Sequence, residues 1–138
     1  MRYPFIFLLG VLSPYLALAD ENRTDQARQT LKNYGLSECI LKPFNQKSAL
    51  EHDIEMSAGA YSHFGKGMHT VMENEDTHKV LHDPYKETRN YMFAASDQIS
   101  ANRDYSDKKM IFHGCLQVYN SEAFDRFIRT QDAYIVDD

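Results

Sequence analysis

Beyond its first twenty residues the chain repeats apolar positions at intervals of three and four, and period-two alternation is hard to find in any long segment. Helical spacing of this kind predicts an all-α domain, a bundle of four to five helices. A first helix is expected from about Thr24 to Leu41, ending before Pro43, with Ala27, Leu31, Tyr34, Cys39 and Leu41 on one broad face. Leu36, Ile40 and Phe44 stack at intervals of four on the other face. A helix that is apolar on both sides either runs through the centre of a bundle or is shared with a second subunit, so this stripe is a candidate dimer interface.

Ser48-Ala49-Leu50-Glu51 has the form of a capping box and opens a second helix, whose inner face reads Leu50, Ile54, Ser57, Ala58, Tyr61, Phe64 and Met68. The small residues from Ser57 to Ala60 suit close approach by another helix. From Gly65 to His82 the periodicity fades and the segment is polar, acidic at Glu73, Glu75 and Asp76, which reads as a long connection with a single helical turn. Asp83-Pro84 starts a third helix that runs to about Ala101 and buries Tyr85, Thr88, Met92, Ala95 and Ile99. A turn at Asn102–Asp107 leads to a fourth helix from Lys108 to about Tyr119, and Ser121 caps a last one carrying Phe124, Phe127 and Ile128 inward. The tail from Asp132 has no period and is read as lying across the surface.

The first nineteen of 138 residues have the layout of a secretory leader: Arg2, an apolar run from Phe5 to Leu12, and Ala17-Leu18-Ala19 before Asp20. That run is too short and too interrupted by Pro4, Ser13 and Pro14 to anchor the chain in a bilayer, and no later segment could span one. Residues 20–138 then form one domain, too short for two cores. The mature part carries 14 basic and 20 acidic residues, a formal charge of −6. Such a balance argues against nucleic acid and fits a basic protein partner. Cys39 and Cys115 are the only cysteines, and an exported chain with an even count most often pairs them, here across 76 residues.

Candidate chemistry is thin. Cys115 has His113 two residues before it, but residues two apart on a helix point in different directions, and a thiol in a disulfide attacks nothing. Glu75, His78 and His82 would share one face of a helix and form the most plausible metal set, which supports a metal-binding or metal-chaperone protein as the alternative function. The segment is the least helical in the chain, so no metal or other cofactor is expected. Carboxylates are plentiful and no pair stands out; phosphate-loop and serine-elbow motifs are missing. Composition and spacing thus lead to a secreted helical binding protein with an acidic exposed loop, and they name no ligand.

Three stretches carry a resemblance: Asn33-Tyr34-Gly35-Leu36-Ser37-Glu38-Cys39-Ile40, Ser57-Ala58-Gly59-Ala60-Tyr61, and the run from Cys115 through Tyr119 and Ser121-Glu122 to Phe124. Together they look like the type VI secretion amidase immunity proteins, which include the resistance-associated periplasmic proteins that neutralise peptidoglycan amidase effectors of the fourth family. The resemblance implies a helical periplasmic protein with an intramolecular disulfide, usually a homodimer. Its partner would be a cognate amidase that cuts peptidoglycan crosslinks with a Cys and His pair. Inhibition in that family is by occlusion, with a protruding loop entering the amidase cleft. The resemblance transfers Cys39 and Cys115 but not the inhibitory loop. Arg103, Asp104 and Tyr105, in one unmatched segment, and Glu73, Glu75 and Asp76, in the other, are therefore candidate effector contacts, Arg103 and Tyr105 as anchors and the acids of the second segment as steering charges.

Overall fold

The computed structural model describes residues 15–43, 47–99 and 110–136. Five helices make up most of this: α1 (Tyr15–Leu41), α2 (Ala49–Tyr61), α3 (Pro84–Gln98), α4 (Ile111–Tyr119) and α5 (Glu122–Arg129). Three of the starts are capped as their sequences predict. The Ser48 hydroxyl accepts from the Glu51 N–H at 3.0 Å. Asp83 accepts from the N–H groups of Tyr85 and Lys86 at 3.0 and 3.1 Å, and Ser121 from that of Phe124 at 3.1 Å. Each cap satisfies backbone donors that the first helical turn leaves open.

Helix α1 is central and touches all four other helices. Ala27, Leu31, Tyr34 and Cys39 are buried along it, while Leu36 and Ile40 are half-buried against the same core. The stripe read as a subunit contact is thus partly covered by the chain itself, and Phe44 lies outside the described residues. The helix starts at Tyr15, earlier than the spacing suggests, since no Gly or Pro stands between Tyr15 and Thr24. Gly35 sets its approach to α3: a Cβ there would fall 2.8 Å from the Thr88 methyl and 3.1 Å from Met92. The core is completed by Tyr85 and Met92 of α3, Val118 of α4, and Phe124 and Ile128 of α5. Cys39 and Cys115 form the disulfide, with Cα atoms 5.9 Å apart, and so tie α1 to α4.

Two segments depart from an all-helical reading. Met72–Glu73 (β1) and Val80–His82 (β2) pair as an antiparallel hairpin where a connection with a helical turn was expected. The turn is closed by Asn74, whose side-chain oxygen accepts from the N–H groups of Asp76 and Thr77 and from the Thr77 hydroxyl. An Asn that binds the backbone two and three residues on favours a turn over a helix. His78 completes it at a φ of 53°, a conformation a helix excludes. The tail, expected to lie on the surface, forms a short 3-10 turn (Asp132–Tyr134) and bridges back to the hairpin base, Ile135 opposite His69.

Helix α2 is the other correction. Ala58 is its one buried residue, whereas Leu50 is 69% exposed and Phe64, beyond the helix end, is 89% exposed. A Cβ added at Gly59 would meet nothing within 4 Å, so of the small residues from Ser57 to Ala60 only Ala58 is buried where α2 packs on α1. One side of α2 packs on α1 and nothing among the described residues covers the rest, which leaves Leu50 without a facing element.

Candidate functional site

Two neighbouring features on one side of the bundle hold unpaired charge. The first is a cleft of about 470 Å³ between α1, the end of α2 and the start of α3. Helix spacing places Tyr34 and Glu38 one turn apart on α1, so both heads reach the cleft, and α3 brings Asp83 and Arg89 to the opposite wall. Tyr34 and Tyr85 meet edge to face with ring centres 5.2 Å apart and form its floor. Burial raises the Glu38 carboxyl above its ordinary pKa, against a smaller opposing pull from Arg89. Burial likewise pushes the Tyr34 hydroxyl up to about 12, with the charge of Glu38 adding to it. At the rim, Phe64 rests against His63 with ring centres 3.8 Å apart.

The second feature is the hairpin, which projects Glu73, Glu75 and Asp76 into solvent. Its base is clasped to the rest of the molecule. The Tyr85 hydroxyl accepts from the His69 N–H at 3.3 Å and donates to the His69 carbonyl at 3.1 Å. His82 stacks on Tyr134 at 3.9 Å and shares a 2.8 Å hydrogen bond with Gln131. The tail is held in turn by the bidentate pair of Arg28 with Asp132 and by Arg23 donating to the Val136 carbonyl. His69 itself is 2% exposed, and neither ring nitrogen has a hydrogen-bond partner. Burial pushes its pKa down to about 4, with Asp132 opposing.

The sequence-predicted residues distribute unevenly over these features. Glu73, Glu75 and Asp76 share the hairpin, whereas Arg103, Asp104 and Tyr105 lie outside the described residues. Glu75, His78 and His82 do not form a metal set: the hairpin puts the first two in its turn and engages His82 with Tyr134 and Gln131. Among the described residues no cluster of His, Cys, Asp and Glu is placed to hold a metal ion. Cys115 is bonded to Cys39, which removes the thiol that a Cys–His reading requires. Sequence reasoning missed the cleft. A Glu directly beside Cys39 on a helix apolar on both sides was the available signal, because an acid in that position must be half-buried or paired.

No curated protein and no solved structure matches the chain. Residues 29–128 match the family described as Tai4, type VI secretion system amidase immunity protein, a span that takes in both cysteines, the cleft and the hairpin.

Proposed function

This chain belongs to the type VI secretion system amidase immunity family, and from that premise we propose that it binds a cognate peptidoglycan amidase in the periplasm and occludes its active site. The family match carries the reading. Export follows from the leader-like first nineteen residues, with cleavage after Ala19, and among the described residues no helix is long and apolar enough to cross a membrane. Protection then works by contact, without modification of the amidase. The exposed acids of the hairpin speed the encounter with a basic partner, and the segment holding Arg103, Asp104 and Tyr105 supplies anchoring contacts.

A second copy would join at Ile40, which with Leu41, Leu50, Ile54 and Phe112 lines an apolar groove of about 450 Å³. Leu36 and Phe44 continue that side of α1 in sequence. Ile40→Glu should give a folded monomer by sedimentation; an unfolded product would show the residue to be core and not interface.

Inhibition of a cognate peptidoglycan amidase tests the main reading. The mature chain should abolish its activity at near-equal stoichiometry, and co-expression in the periplasm should prevent lysis of a sensitive cell. Lysis undiminished by co-expression would refute it. Replacing Glu73, Glu75 and Asp76 with Gln or Asn should slow association at low salt, and the difference should fade as ionic strength rises.

A further inference from the structure

We infer that the cleft between α1, α2 and α3 is the receptor for an arginine side chain presented by the amidase, with the Glu38 carboxylate as its counter-ion; this rests on the amidase being the partner. Glu38 is half-buried and makes no hydrogen bond or ion pair with any described residue, although Arg89 is near enough to influence it electrostatically. A desolvated carboxylate left in this state is costly, and a guanidinium that docks on both of its oxygens removes the cost. Tyr34 adds a second polar group to the same space. It is 8% exposed, yet its hydroxyl has no hydrogen-bond partner among the described residues and lies in the wall of the same cleft. The hydroxyl opens on the cleft and is free to accept from an incoming N–H.

Charge and shape both select a cation. The acids Glu38, Glu55 and Asp83 outnumber Lys86 and Arg89 in the lining, and the whole chain is acidic, with a formal charge of −5. Phe64, 89% exposed at the rim, offers an aromatic surface to a planar guanidinium. Arg89 is then a competitor for Glu38, which fixes the sign of two opposite substitutions. Glu38→Gln should weaken binding and Arg89→Gln should tighten it.

The test uses the full mature chain in two arms. In the first, N-acetyl-arginine amide is titrated into isotope-labelled protein, with the neutral isostere N-acetyl-citrulline amide as control. Arginine should shift the signals of Tyr34, Glu38 and Arg89, citrulline should not, and the shifts should vanish in Glu38→Gln. The response should weaken as pH falls and Glu38 takes up a proton. Arg89, Lys86, Glu55, Asp83 and His63 also face the cleft, so the pH effect is assigned by its loss in Glu38→Gln. In the second arm the affinity for the cognate amidase should fall at least about tenfold in Glu38→Gln and rise in Arg89→Gln, with both variants melting as cooperatively as the parent. Amidase binding indifferent to both substitutions would overturn the cleft and leave the immunity reading standing. Arginine binding by a chain that ignores the amidase would overturn the immunity reading and leave the cleft an arginine site without the amidase as its source, and a chain that binds neither would overturn both. Should Glu38→Gln not fold, the Arg89→Gln variant alone decides, since a loss of affinity there contradicts competition.

Discussion

At His69, burial holds the imidazole neutral in the folded chain with a pKa of about 4, while the ordinary value is 6.5. The unfolded chain therefore binds more protons than the folded one between those values, and stability falls as the pH drops through that window. It is complete above about pH 6.5 and lost by about pH 4, at a total of roughly 3 kcal/mol. The same residue carries the backbone contacts to Tyr85 and to the tail, so charging it loosens the clasp under the hairpin. Urea unfolding between pH 7 and 4 should show a steep loss for the parent and a shallower one for His69→Phe. Parallel profiles would mean that other groups carry the acid sensitivity.

Among the elements, α3 contributes most to the site, since its N-cap supplies Asp83, its first turn Tyr85 and Lys86, and its second Arg89. Two caps converge on that start: the Asp83 carboxylate takes two N–H groups, and Pro84 occupies a position whose N–H would have had no helical partner. Asp83→Ala should cost about 1 kcal/mol in urea denaturation and should also shift the Tyr34 and Tyr85 signals in the cleft. Ser121→Ala, at the start of α5, should cost a similar amount while leaving those signals in place. A common spectral change in both variants would show that the two helix starts are not independent. The hairpin behaves differently from the helices: its strands are two and three residues long and its hold comes from the flanking clasp.

For the molecule as a whole, the disulfide is a covalent constraint set within the core. It joins residues 76 apart in sequence, and loop-closure entropy gives roughly 4 to 5 kcal/mol for such a bridge. That is comparable with the net stability of many domains of this size. Native protein should show no titratable thiol until reduced, and Cys115→Ser should lower the thermal midpoint by at least about 10 °C while retaining helical signal. A midpoint within a degree or two of the parent would mean that packing of α1 on α4 already imposes the constraint. Because α1 also carries Tyr34 and Glu38, reduction should blunt the cleft along with the fold.

Local signals in the sequence were enough for the helix starts at Ser48, Asp83 and Ser121, since a cap is decided within three or four residues. The disulfide followed from there being two cysteines in a chain with an export-like leader, and the family from short runs around them. What the sequence left open depends on partners distant along the chain. The bridge of His69 to Ile135 joins positions that no local window contains, and strands of two or three residues are too short to show alternation. Leu50 and Phe64 have the composition of core residues but are exposed, because burial requires a facing element and none among the described residues covers that side of α2. The cleft is the same case in polar form. Glu38, Tyr34 and Arg89 are unexceptional one by one, and only the packing of α1 against α3 puts an unpaired acid, an unbonded hydroxyl and a competing base around one space.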